Sequence, residues 1–246
     1  MSLAHRVVTW FIRRLTRILC RVHDRELARV PKQGPLILVS NHINFLEVPV
    51  MYTHLHPRPM TAFAKAETWE IPVLRRLADL WGAIPLQRGE ADTTALRAGL
   101  KALEDGQILC MAPEGTRSGD GRLQRGHPGV VLMALRSNAP LLPVVYYGGE
   151  LFRSNLRRLR RTDFHIAVGR PFYLSPNGTK ITREVRQQMT DEIMGQMAAL
   201  LPPAYRGVYS DPAGATTTYL RFVDGDDAVA VHGSGVGQPQ EPPPVT

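Results

Sequence analysis

Residues 3–22 set the first pattern. At about 100° per residue, Leu3, Val7, Val8, Phe11, Ile12, Leu15, Ile18, Leu19 and Val22 fall on one broad face. Arg6, Arg13, Arg14, Arg17 and Arg21 collect opposite, with Trp10 nearer the basic side. The pattern predicts a basic amphipathic helix over residues 1–24. Such a helix suits the plane of an anionic bilayer surface. It could also pack its apolar face on its own domain, but the arc has no balancing acid before Asp24, which favours the membrane.

Beyond residue 24 the period changes repeatedly. Leu36–Val39, after a Gly-Pro entry, reads as a buried strand running into Asn41-His42. Met60–Lys65 reads as a strand, Pro72–Leu80 as a short helix and Gly82–Arg88 as a strand. Residues 91–104 form a helical pattern that stops near Gly106, and Ile108–Ala112 is another apolar strand before a polar loop. Val130–Arg136 reads as a helix, Leu141–Tyr147 as a strand, residues 163–172 as a later strand, and 182–200 as an amphipathic helix. Strands alternating with helices predict an α/β domain over residues 25–222, a largely parallel sheet flanked by helices. Residues 223–246, rich in Gly and Pro and without periodicity, read as a disordered tail.

Composition bounds the partners. The chain has 246 residues, enough for one full-sized core. Its formal net charge of +8 favours anionic partners. Nucleic acid has no motif or aromatic interleaving to support it. The basic run Phe152–Arg161 suits lipid headgroups, the phosphates of a coenzyme, an acidic carrier protein, or simple solvation. Cys20 and Cys110 form no C-x-x-C pair, so neither a disulfide framework nor a cysteine zinc site is predicted, and a reducing compartment fits. His54 and His56 lack a supporting carboxylate or cysteine cluster and read as solvated loop residues; no metal is expected. No stretch reaches the roughly 18–20 apolar residues of a spanning helix. Val7–Ile12 is short for a secretory leader and lacks a cleavage site.

Three polar clusters follow three apolar strands. Asn41-His42 is followed by Glu47, placed to accept from one imidazole nitrogen and leave the other as a base. No G-x-S-x-G elbow accompanies the pair, so the substrate would bring its own hydroxyl. The second cluster is Glu114, Gly115, Thr116, Arg117 and Ser118: glycine permits close backbone approach, and arginine can fork onto a phosphate. Arg88 adds a second cation. Together they predict a phosphate-bearing alcohol beside a general base.

In this order the segments NHINFLE, GAIPLQR, PEGTRS and APLLPVVYYG resemble the four sequence blocks of the glycerolipid acyltransferases, typified by 1-acyl-glycerol-3-phosphate acyltransferases. The resemblance covers roughly Gly34–Gly148. It implies an α/β fold and transfer of a fatty acyl group from acyl-CoA or acyl-carrier protein, as co-substrate rather than cofactor, to a lysophosphatidic-acid-type hydroxyl. Carried onto this chain, it makes His42 the base. Arg88 and Arg117 would bind the acceptor phosphate in a site shaped by Glu114, Gly115 and Thr116, and Pro143 would shape the acyl region. It places the protein on the cytoplasmic face of a membrane, peripheral or monotopic. Another lysolipid acceptor, or a non-catalytic lipid-binding role, is the alternative. One position departs: the family's His-x4-Asp is here His42-x4-Glu47, one methylene longer.

Overall fold

A computed structural model describes residues 3–87, 92–211 and 214–223. The strands are β1 (Cys20–His23), β2 (Leu36–Val39), β3 (Met60–Lys65), β4 (Ile84–Leu86), β5 (Ile108–Met111), β6 (Leu141–Tyr147), β7 (Thr162–Val168), β8 (Phe172–Leu174) and β9 (Leu220–Phe222). The helices are α1 (Leu3–Leu19), α2 (Glu47–His54), α3 (Pro72–Leu80), α4 (Thr93–Glu104), α5 (Gly129–Ser137), α6 (Phe152–Arg157) and α7 (Arg183–Leu200). Asp92 accepts from the Ala95 amide at 2.9 Å to start α4, and Thr182 accepts from the Val185 amide at 3.3 Å to start α7. Asn138, left-handed at φ 49°, ends α5.

The strand order is β1-β7-β6-β2-β5-β3-β4, with β8 and β9 extending from β6. β6, β2, β5, β3 and β4 run parallel; β7 and β8 run antiparallel to β6. All four residues of β2 are buried, because it lies between β5 and β6 with both faces covered. Ile37 and Val39 join the core under α4, α5 and α7. Leu36 and Leu38 join the opposite core with Val50, Met51 and Trp81. The largely parallel, helix-flanked α/β architecture expected from the alternation is present.

The N-terminal segment differs from its sequence reading. The helix stops at Leu19, and Cys20–His23, which includes Val22, is an edge strand paired parallel with β7. The unit boundary placed after residue 24 therefore falls beyond a strand that belongs to the domain's sheet. α1 packs on α2 through a narrow side that buries Thr9 and Thr16 and half-buries Ile12. One neighbour cannot cover so wide an apolar arc, so Leu3, Val7, Phe11, Leu15 and Ile18 stay exposed. Trp10 is exposed on that side with the Arg14 guanidinium 5.6 Å from its ring. Arg13 turns inward instead, and burial lowers its pKa. No described helix is long and apolar enough to cross a membrane. The tail reading of 223–246 lies outside the described residues from position 224 onward.

His54 also corrects its reading. It is buried at the end of α2, with Nδ1 2.9 Å from the Val50 carbonyl oxygen, and burial lowers its pKa. It is a packed helix-end residue, not a solvated loop histidine.

Candidate active site

The carboxyl ends of β2, β5 and β6 point the same way, so the loops after them meet at one end of the sheet. The first loop carries Asn41 and His42. Asn41 is buried and locked to β6: its Nδ2 donates to the Tyr146 carbonyl, and the Tyr146 amide donates to its Oδ1, each at 2.8 Å. The loop after β5 is tied to the first, since the Ser118 amide donates to the His42 carbonyl at 2.8 Å and the Gly119 amide to that of Ile43 at 3.1 Å. The loop after β6 is tied in as well: Asn44 Nδ2 donates to the Gly149 carbonyl at 2.7 Å.

α2 begins at Glu47 itself, which is 4% exposed. Its Oε1 accepts from the Ile43 and Asn44 amides at 3.1 and 2.9 Å. Its Oε2 lies 3.3 Å from His42 Nδ1. One carboxylate therefore holds both the loop backbone and the imidazole. Among the described residues no hydrogen bond reaches His42 Nε2, and the ring lines two cavities.

The first cavity, about 570 Å³, has mixed walls that include Ser40, Gln87, Thr116 and His127. The second, about 450 Å³, has an apolar wall of Phe45, Leu74, Leu77, Ala78, Trp81 and Ala83, with Lys65, Thr68 and Arg117 also lining it. They share His42, Val48, Tyr52, Ala62, Phe63 and Thr116, so they meet at the imidazole. Trp81 stacks on Tyr52 with centroids 4.7 Å apart and closes part of the apolar wall. Cys110 lines the mixed cavity. Burial pushes its thiol up to about 12, which keeps it protonated and makes it no nucleophile. A larger concavity of about 790 Å³, between α7 and residues 208–211 and 214–216, carries neither imidazole nor thiol among the described residues.

The remaining site expectations divide. Thr116 lines both cavities, and Arg117 lines the apolar one beside His42. Gly115 lines the mixed cavity at φ 67°, a turn geometry that suits glycine. Arg88 lies outside the described residues; Gln87 before it lines the mixed cavity. Glu114 lines the mixed cavity but turns its carboxylate onto backbone amides. It is 2% exposed, with Oε1 accepting from the His42 amide and Oε2 from the Gln124 amide, both at 2.9 Å. Burial pushes its carboxyl up to about 6 against the pull of those two amides. A buried carboxylate with one backbone amide on each oxygen braces the two loops against each other. Pro143 is corrected too. It is buried within β6 opposite Val39, accepts from the Gly169 amide, and lines neither cavity.

Sequence reasoning missed the brace behind Glu114. The Tyr205 carbonyl accepts from the Leu123 amide at 3.0 Å, and the Tyr209 hydroxyl accepts from the Gly126 amide at 3.1 Å. These contacts clasp the loop whose Gln124 amide holds Glu114. A Pro-Pro pair followed by two tyrosines signals a packed extension but not its partner. His127 was also missed, since a lone histidine in a glycine-rich loop carries no pattern.

A family model described as Acyltransferase matches residues 20–147, more than half of the chain and the whole span from β1 to β6. The chain belongs to the acyltransferase family. It is 28% identical over 144 residues to a chloroplastic 1-acyl-sn-glycerol-3-phosphate acyltransferase of Brassica napus, covering 56% of this chain and 41% of that protein. It is 28% identical to a lyso-ornithine lipid O-acyltransferase of Pseudomonas aeruginosa, over 58% of this chain and 54% of the relative. The alignments thus span about half the length of these curated relatives. The 1-acyl-sn-glycerol-3-phosphate acyltransferase of Bacillus subtilis is covered further, 83% of its length, at 22% identity. The crystal structure of the 1-acyl-sn-glycerophosphate acyltransferase PlsC from Thermotoga maritima superposes with a TM-score of 0.60. It shares 21% identity, and the match covers 80% of this chain and 78% of that one, which shows the shared fold.

Proposed function

We propose that this protein transfers a fatty acyl group from a thioester donor, acyl-CoA or acyl-carrier protein, to the free hydroxyl of a lysophosphatidic-acid-type acceptor. The observation that carries the reading is the oriented His42–Glu47 pair at the junction of an apolar and a mixed cavity. With Nδ1–H donated to Glu47, the Nε2 lone pair is left to take the acceptor hydroxyl's proton. The alkoxide oxygen attacks the thioester carbonyl. The tetrahedral intermediate collapses, the carbon–sulfur bond breaks, and the imidazolium returns its proton to the leaving thiolate. Ester and thiol are the products. Glu47 stabilises the imidazolium between the two steps. The apolar side chains Phe45, Leu74, Leu77 and Trp81 of the second cavity suit an acyl chain; Thr116 at the junction and Arg117 on the second cavity's wall suit the acceptor phosphate, with Arg88 as a second cation.

The exposed apolar side of α1 supports peripheral contact with an anionic membrane surface, where both lipid substrates reside. The two free cysteines suit its cytoplasmic face. Purified protein should release thiol from acyl-CoA in the presence of lysophosphatidate, and His42→Ala should abolish that release while keeping its circular dichroism. Near-normal turnover by the His42→Ala protein would sink the mechanism.

One observation favours a second acceptor class. Among the described residues, the mixed cavity is lined by no lysine or arginine; its imidazoles are those of His42 and His127. A zwitterionic or neutral lysolipid would find fewer unpaired cations there. One acyl-CoA assayed against lysophosphatidate, lysophosphatidylcholine and a lyso-ornithine lipid ranks the acceptors directly.

A further inference from the structure

The turn after α6 breaks a local rule. Helix α6 ends in a Schellman arrangement, with the Leu159 amide donating to the Leu156 carbonyl at 3.1 Å and the Arg160 amide to that of Asn155 at 2.8 Å. The residue at its left-handed position, φ 51°, is ordinarily glycine; here it is Leu159. That leucine is 95% exposed. A side chain that strains the backbone and touches nothing in its own chain has no folding role to account for it. It stands among Arg157, Arg158, Arg160 and Arg161. Among the described residues no acid pairs with Arg157, Arg158 or Arg160.

The turn is rigidly placed. Arg161 Nη2 donates to the Arg17 and Cys20 carbonyls at 2.6 and 2.9 Å, tying it to the end of α1. Asn155 Nδ2 donates to Thr162 Oγ1 at 3.1 Å and closes the loop from within. At the other end of α6, Phe152 meets Phe45, three residues past His42, edge-to-face at 5.6 Å. Helix α6 thus bridges the catalytic loop and the base of α1. Ile18 on α1, and Leu156 beside the turn, are exposed as well.

From this we infer that the 157–161 turn is a second membrane anchor, docking on an anionic bilayer with Leu159 inserted below the headgroups and the flanking arginines on their phosphates. Charge complementarity decides the occupant: an apolar tip ringed by unpaired arginines matches an anionic interface, where the tip is dehydrated and the guanidiniums stay among the headgroups. α1 and this turn would then hold the protein at two adjoining points at one end of α6, with the His42 loop at its other end. The inference rests on the acyltransferase reading only in taking the substrates to be membrane lipids.

The test is partition onto vesicles of phosphatidylglycerol and phosphatidylcholine, measured by co-sedimentation of the full chain. Leu159→Gly should lower partition about tenfold, the loss of one inserted leucine. Its Tm should hold or rise, because glycine relieves the left-handed position. Replacing Arg157, Arg158 and Arg160 by Gln should lower partition about a hundredfold, near fivefold per charge, and flatten its salt dependence. Turnover of short-chain, water-soluble substrates should stay at the wild-type rate in Leu159→Gly, because Leu159 lines neither cavity. Equal partition of Leu159→Gly and wild type overturns the inference. So does wild-type binding to pure phosphatidylcholine as tight as to the anionic mixture. Turnover lowered only with an acyl-carrier-protein donor, with partition unchanged, also overturns it and assigns the turn to that acidic carrier. A partition loss in a protein that transfers no acyl group supports the anchor and sinks only the proposed activity.

Discussion

Replacing Glu47 by Gln separates the orientation of His42 from its presence. The carboxylate serves three donors: the Ile43 and Asn44 amides on Oε1 and the His42 ring on Oε2. Glutamine has one carbonyl oxygen and one NH2 group. The two backbone amides need an acceptor and cannot turn away, so the oxygen stays with them and the NH2 faces Nδ1. His42 must then accept at Nδ1 and carry its proton on Nε2, the nitrogen that should take the substrate's proton. The charge that stabilises the imidazolium is lost as well. A triad whose carboxylate is amidated loses about 10⁴ in kcat by this tautomer error, so a fall of about 10³–10⁴ is expected here, or about 4–5.5 kcal/mol at 1.36 kcal/mol per tenfold. Stability should fall by only about 1 kcal/mol, the share of one weakened hydrogen bond. Thiol release at saturating acceptor and donor gives kcat, and the His42 side-chain nitrogen shifts in an NMR spectrum report the tautomer. A Glu47→Gln protein with intact fold and kcat within about threefold of wild type would refute an oriented base, since threefold is under 1 kcal/mol of transition-state stabilisation.

Other consequences follow from the same geometry. Glu114→Gln places an NH2 against the amide of His42 or Gln124, costing about 1–3 kcal/mol at neutral pH. Because the folded state raises the Glu114 pKa from 4.5 to about 6, this group's contribution to stability is full below pH 4.5 and is lost as pH rises through 6. The shift amounts to about 2 kcal/mol. The wild-type-minus-variant difference in urea unfolding should therefore carry that slope between pH 4.5 and 6, and a flat difference would show the carboxyl to be unperturbed. Arg117→Ala should raise the KM for a phosphorylated acceptor about tenfold or more with kcat little changed; an unchanged KM removes it from the phosphate site. Ala62→Leu, at the junction of the two cavities, should shift donor preference toward shorter acyl chains, read from kcat/KM across an acyl-CoA series. Gly207→Ala forces a left-handed residue, φ 54°, against the Leu123 carbonyl. A loss of about 2 kcal/mol or more in urea unfolding is expected as the clasp on residues 123–126 opens; an undiminished stability would show the clasp to be slack.

Much of the architecture was legible because periodicity is local. The parallel strands β2, β3, β5 and β6 are short apolar runs, and α4, α5 and α7 are amphipathic windows with caps or stops beside them. What local pattern missed is short or paired at a distance. β1 is four residues whose partner, β7, lies more than a hundred positions away. α6 is six residues inside a run of arginines, where charge masked the turn chemistry. The N-terminal arc was read as one face, yet only packing on α2 decides which part of it is buried.

The site divides the same way. Sequence alone determined that a histidine and a carboxylate sit five positions apart at a strand's end, with a Glu-Gly-Thr-Arg loop to follow, because those residues are chemistry written at fixed spacing. It could not distinguish a carboxylate that meets substrate from one that meets backbone. Tertiary structure alone decided that Glu47 holds both the His42 ring and its loop, and that Glu114 spends both oxygens on amides 72 and 10 residues away. It also placed Pro143 in the sheet interior and brought Tyr205 and Tyr209 behind the catalytic loop. The physical reason is that a buried polar atom must find a partner, and which partner is near enough depends on loops brought together by the sheet rather than on neighbours along the chain.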